Sequence, residues 1–153
     1  MLIKGIITED LVNYKKVSMT IMFPYCTFKC GTEYCQNSSL AKSKNINMKP
    51  EDIVSRYISN PMTEAIVMQG LEPFDSWEDL SKLIVRIRQE TNDDIVIYTG
   101  YNLEEISYAI SWLKMFPNIV VKFGRYIAGQ KSHYDEVLGV NLASDNQFAE
   151  RIS

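Results

Sequence analysis

Residues 17–37 read VSMTIMFPYCTFKCGTEYCQN. The opening VSMTIMF, residues 17–23, is β-branched and apolar enough to predict a strand, and the cysteine segment leaves its end as a loop. Cys26, Cys30 and Cys35 are the only three cysteines in the chain of 153 residues, with three and then four residues between them. One loop carrying thiols at that spacing can wrap a single metal centre.

Working downstream, Pro50, Glu51 and Asp52 form the first turn expected of a helix, where proline fits and acids favour the dipole. Ile53, Val54, Tyr57 and Ile58 supply its apolar face, and Asn60 with Pro61 stops it. Ala65–Met68 has the size of a buried parallel strand and ends in the turn Gly70-Leu71-Glu72-Pro73. Ser76 is the expected cap of a helix striped by Leu80, Leu83, Ile84 and Ile87, which Asn92 closes. Ile95–Tyr98 is the next strand, Asn102 with Glu105 starts another helix, and Ile119–Phe123 forms a further strand. Strand, helix, strand, helix, strand predicts an α/β fold with a small parallel sheet and right-handed crossovers. Parallel sheets bind ligands beyond the carboxyl ends of their strands, and the cysteine loop and the Gly70 turn both emerge there. The whole span 1–153 reads as one domain, with no linker, repeat or low-complexity segment.

The chain is 46% hydrophobic and 23% charged with a net charge of -3, the composition of a soluble domain with a real core. Lys42 and Lys44 make only a short basic run, so neither nucleic acid nor an anionic membrane is an expected partner. The first residues lack the pattern of a signal peptide, and no apolar run approaches the roughly 18 residues that span a bilayer. The expected location is the cytoplasm, where thiols stay reduced and structural disulfides are rare.

Three crowded thiols in a reducing compartment ask for another role. A cubane [4Fe–4S] cluster takes thiolate ligands on its irons. Three protein thiolates leave one iron open to bind a substrate, as an open position does on catalytic zinc. A structural zinc site and inert or redox-sensing thiols are the alternatives. A closed zinc site needs four Cys or His ligands, and the single histidine, His133, lies far downstream in a segment read as a solvated loop.

Several segments in order carry a resemblance. They are Asp10-Leu11-Val12-Asn13, the cysteine loop with Cys35-Gln36-Asn37, Gln69-Gly70-Leu71-Glu72-Pro73, Tyr98-Thr99-Gly100-Tyr101, Phe123-Gly124-Arg125-Tyr126-Ile127 and Ser144-Asp145-Asn146-Gln147. In these the chain resembles the radical S-adenosylmethionine superfamily, and within it the activating proteins of anaerobic ribonucleoside-triphosphate reductase. The resemblance implies an incomplete (β/α) barrel with Cys26, Cys30 and Cys35 holding a [4Fe–4S] cluster. It implies S-adenosylmethionine as second cofactor, with Gly70, Leu71, Glu72 and Pro73 at its methionine end, Tyr34 near its adenine, and Thr99 as a further contact. Electrons would come from a low-potential donor. Reductive cleavage of the cofactor would yield a 5′-deoxyadenosyl radical that takes hydrogen from a glycine of a larger glycyl radical enzyme. No protein acid or base is needed for that.

The chain departs from the family at three places. The family has two residues between its last two cysteines where this chain has four; its turn has a second glycine where this chain has Leu71; and the reductase activators carry Gly-Pro-Gly where this chain has Tyr14-Lys15-Lys16. The last difference implies a different partner surface. Read on their residues alone, the Gly70 turn could be an ordinary strand-to-helix turn, Thr99 and Tyr101 a strand end with a packing aromatic, and Ser144–Gln147 a surface turn. A non-catalytic iron–sulfur or zinc protein, serving as electron carrier or binding subunit, is the rival function. An enzyme modifying a peptide or a small molecule is a third, and the shortness of the chain favours a large partner over an enclosed metabolite.

Overall fold

A computed structural model describes residues 1–153. The strands are β1 (Leu2–Ile3), β2 (Gly5–Asp10), β3 (Ser18–Phe23), β4 (Ile46–Asn47), β5 (Ala65–Gly70), β6 (Asp94–Tyr98), β7 (Ile119–Phe123), β8 (His133–Asp135), β9 (Val140–Leu142) and β10 (Phe148–Arg151). The helices are α1 (Ser38–Lys42), α2 (Pro50–Ile58), α3 (Trp77–Arg88) and α4 (Ser107–Leu113). Six strands form the main sheet in the order β10-β7-β6-β5-β3-β2. Its centre, β3-β5-β6-β7, is parallel, as the alternation of strands and helices requires.

The sheet as a whole is mixed and open. β2 pairs antiparallel with β3, broken by a register shift between Ile7 and Asp10, and β10 pairs antiparallel with β7. These two edge strands correct the expectation of a purely parallel sheet, and no barrel closes. Their sequences, GIITED and FAER, lack both a long apolar run and a clean two-residue alternation because each is covered on little of its surface.

Both faces of the parallel centre are buried, by different means. Met19, Ile21, Ile66, Met68, Ile95, Ile97, Ile119 and Val121 point into a core of 23 buried residues that includes the stripes of α2, α3 and α4. The intervening Ala65, Val67, Val96 and Val120 point the other way, against Tyr14, Leu138 and Leu142. All three longer helices therefore lie on one face, and the β8–β9 hairpin with its connections covers the other. The crossovers between successive parallel strands thus lie on one side of an open sheet.

Some local expectations need correction. Ile58 is 49% exposed at the end of α2 rather than on its buried face. Ser76 precedes α3 but makes no capping bond, and its hydroxyl is buried without a partner. The chain enters α3 through a 3-10 turn at Pro73–Ser76 that the Glu72 side chain caps, so the capping role moves upstream. A 3-10 turn over Leu103–Ile106 likewise leads into α4, with Glu105 accepting from the Asn102 amide at 2.9 Å. His133 begins a paired strand, and its Nδ1 is buried without a partner, so it is not a solvated loop residue. No helix is long and apolar enough to cross a membrane.

Candidate functional site

The cysteine loop leaves the carboxyl end of β3 beside the turn that follows β5. The Leu71 amide donates to the Phe23 carbonyl at 3.3 Å and the Glu72 amide to the Tyr25 carbonyl at 2.8 Å, so the two exits travel together. Cys26, Cys30 and Cys35 are free, half-buried thiols lining one cavity of about 430 Å³. The Phe28 amide donates to the Cys26 sulfur at 3.2 Å. The extra residues between Cys30 and Cys35 coil into a 3-10 turn over Thr32–Tyr34, entered through Gly31 at φ 89°. A side chain on Gly31 would meet nothing closer than 3.8 Å, so the turn needs glycine for its backbone angle rather than for space. Tyr34 is 60% exposed at the cavity rim.

No three His, Cys, Asp or Glu side chains converge to hold a single ion. The three thiols share one cavity lining, which supplies no fourth Cys or His for a closed zinc site but suits a cluster whose thiolates sit on separate metal atoms. Burial pushes the Cys26 thiol up, and the Glu72 and Asp75 carboxylates add to it; burial and the Cys35 thiol act likewise on Cys30. Cys26 and Cys30 are thereby favoured as thiols, and metal binding must expel their protons.

The Gly70 turn forms the facing wall. Gly70 has φ 105°, and a Cβ there would lie 2.8 Å from the Phe23 nitrogen and 2.9 Å from Met22 Cα. Only glycine lets β5 end this close to β3. Leu71 is not among the residues with positive φ, so leucine sits there without strain. Asn37, just after the last cysteine, donates its side-chain amide to the Gly70 carbonyl at 2.8 Å and ties the loop's far end to the turn.

Glu72 is 5% exposed and heavily committed. Its Oε1 accepts from the Phe74 amide at 3.2 Å and the Thr99 hydroxyl at 2.9 Å, and its Oε2 from the Gly100 amide at 2.8 Å. A carboxylate offers about four acceptor positions, so one remains on Oε2. Burial pushes Glu72 up to about 7 against these bonds. Thr99 accepts in turn from the Tyr101 amide at 3.0 Å, so Thr99 and Tyr101 belong to the Glu72 support. Gly70, Leu71, Glu72, Thr99 and Tyr34 all line the cavity, whereas Pro73 is buried in the 3-10 turn and does not line it.

Sequence reasoning passed over Lys122. It is 6% exposed in β7, lines the same cavity, donates to the Gly124 carbonyl at 2.8 Å, and lies 6.0 Å from the Tyr98 ring centroid. Burial pulls it down to about 8, the Glu72 charge opposing. A lysine in the middle of the apolar run Ile119–Phe123 was the signal available.

Ser144–Gln147 is a turn closed by the Gln147 amide donating to the Ser144 carbonyl at 3.2 Å, with Asp145 and Asn146 exposed but Ser144 and Gln147 buried and bonded inward. Gln147 accepts from the Ala143 and Ser144 amides, each at 3.1 Å, and donates to the Gly124 carbonyl at 3.2 Å, while Asn146 donates to the Arg125 carbonyl at 2.8 Å. These bonds clamp the Gly124–Tyr126 wall of the cavity. On the opposite side, Asp10 is buried and accepts from the Val12 amide, the Asn13 side chain and the Thr20 hydroxyl, which sets Val12 and Asn13 at the cavity. Tyr14 is buried and donates to Asp94 at 2.9 Å, while Lys16, its side chain 42% exposed, pairs with the same carboxylate at 2.7 Å.

A strand-end cavity with three thiols in its lining, on an α/β sheet with its helices on one face, is the setting of a metal-cofactor protein. The chain belongs to the 4Fe-4S single cluster domain family, whose match covers residues 13–147 and so takes in the whole cavity lining except Val12. No curated protein and no solved structure matches the chain.

Proposed function

We propose that the protein is an iron–sulfur enzyme of the radical S-adenosylmethionine type whose substrate is a larger glycyl radical enzyme, related to anaerobic ribonucleotide reductase. The observation that carries this reading is the facing of three thiols by a buried carboxylate and a buried ammonium across one cavity. When bound, the cluster and S-adenosylmethionine would supply reductive cleavage of a carbon–sulfur bond for hydrogen abstraction, using an electron from a low-potential donor.

The chain's own residues would bind and orient. Cys26, Cys30 and Cys35 would hold the cluster. The free acceptor position of Glu72 suits an ammonium and the Lys122 ammonium suits a carboxylate, the two charged groups of an amino acid moiety. Gly70 and Leu71 would line the approach of that moiety, and Tyr34 at the rim would cover the nucleoside. Anaerobic reconstitution with iron and sulfide, reduction, and assay for 5′-deoxyadenosine with S-adenosylmethionine tests the chemistry. A glycyl radical doublet in electron paramagnetic resonance on a co-incubated partner tests the substrate. High turnover on a free small molecule with no partner would redirect the reading to a metabolite-modifying enzyme.

A second reading, a non-catalytic cluster protein, draws on one observation. Three of the Glu72 acceptor positions are spent inside the protein, as in a turn built for structure alone. A reconstituted cluster whose electron paramagnetic resonance spectrum is indifferent to S-adenosylmethionine would decide for it.

A further inference from the structure

The cysteine loop is held to the rest of the molecule at its start by very little. Between Cys26 and Cys35 one backbone group hydrogen-bonds outside the loop: the Thr27 amide, which donates to Asp75 Oδ2 at 2.9 Å. The other Asp75 oxygen, Oδ1, accepts from the Tyr101 hydroxyl at 2.6 Å. The Tyr101 ring in turn has the Lys29 ammonium 5.2 Å and the Arg125 guanidinium 5.1 Å from its centroid, and Arg125 is gripped by both oxygens of Glu105 at 2.9 and 3.0 Å. The loop also contains Phe28 at φ 52°, a left-handed conformation that a bulky residue holds only when its surroundings impose it. Asp75 and Tyr101 belong to different strand-end segments, so their bond fixes the tether from two sides.

From this geometry we infer that Asp75 is a positioning residue for the cluster: it orients the Cys26–Cys30 half of the loop through Thr27 and places a negative charge beside the cluster. The inference rests on the assignment of the three cysteines as cluster ligands. Outer-shell partners of metal ligands are worth about 10–100-fold in metal affinity. A fixed negative charge beside a cluster opposes the addition of an electron, so removing it moves the reduction potential in the positive direction.

The test uses the reconstituted full chain and reads cluster release to an iron chelator, the midpoint potential and the electron paramagnetic resonance line shape. Asp75→Ala removes tether and charge, so release should quicken about tenfold, the line shape should change and the potential should rise. In Asp75→Asn the amide oxygen can still accept from Thr27 and the amide nitrogen can donate to the Tyr101 oxygen. Release should then stay near wild type while the potential rises as in the alanine variant, a separation that a merely structural aspartate would not produce. Tyr101→Phe should fall between wild type and Asp75→Ala in release, and it carries the test with Asp75→Asn if the alanine variant fails to fold. Wild-type release, line shape and potential in the Asp75 variants would overturn the inference while leaving the cluster assignment intact. A wild-type chain that assembles no cluster would overturn both.

Discussion

Buried charges on Glu72 and Lys122 give the stability of the apoprotein a definite pH signature. Burial raises Glu72 from 4.5 to about 7, so between those values the folded chain keeps a proton that the unfolded chain has lost, and stability falls as pH rises through that window. Burial lowers Lys122 from 10.5 to about 8, so above about 8 the folded chain has shed a proton that the unfolded chain keeps, and stability recovers with rising pH. The apoprotein should therefore be least stable between about 7 and 8, where both groups carry charge. Glu72→Gln should flatten the acid side of that profile in urea titrations, a change of at most about 3 kcal/mol between the ends of the window. A zwitterionic amino acid moiety in the cavity would neutralise both charges. S-adenosylmethionine should accordingly raise the melting temperature most between about pH 7 and 8, and a uniform rise across pH would argue that it binds elsewhere. Replacing any one of Cys26, Cys30 and Cys35 by Ala should abolish the visible absorption of the reconstituted cluster while leaving the apoprotein fold intact, since none of the three is in the core. Protein prepared anaerobically that contains stoichiometric zinc and no acid-labile sulfide would contradict that prediction.

Among the elements, the end of β5 is the least tolerant of change. Gly70→Ala would place a methyl carbon against the backbone of β3 at a φ that side chains rarely adopt, and should cost about 3 kcal/mol or more in denaturant unfolding. The sequence showed a turn at Gly70, but the close approach to β3 is a tertiary fact with no local signature. The parallel strands and the stripe of α3 were legible, since a strand buried on both faces and a helix packed on one face each leave an unmistakable spacing. The capping of α3 was not. Ser76 satisfies every local rule for a cap, yet Glu72, four residues earlier, does the work through a 3-10 turn that only the tertiary position of Thr99 and Gly100 makes favourable. Lys122 escaped for the opposite reason. One charged residue in an apolar run predicts nothing until a cavity is known to lie beside it.

Across the whole molecule, the far end of the sheet from the cavity is secured by Asp94, which accepts from Tyr14 at 2.9 Å, Lys16 at 2.7 Å and Arg151 at 3.0 Å. Burial alone would raise the Asp94 carboxyl, but these three partners outweigh it and hold the group below 3.8. Its contribution is thus present above that value and lost as acid takes the pH below it. Asp94→Asn should remove about 1–3 kcal/mol at neutral pH and shift acid unfolding upward in pH. The same three partners come from opposite ends of the chain, as do the two edge strands, whose pairing stayed illegible because each is buried on little of its surface and so carries no apolar pattern. The clamp of Gln147 on Gly124 has a consequence for biosynthesis. Because the wall of the cavity is completed by a segment translated well after the three cysteines, a ribosome-bound chain that has not yet released residue 147 presents the thiols on an unfinished bowl. Delivery of iron and sulfide should then follow translation, and stalled nascent chains with and without residues 144–147 outside the exit tunnel should differ in their ability to accept it.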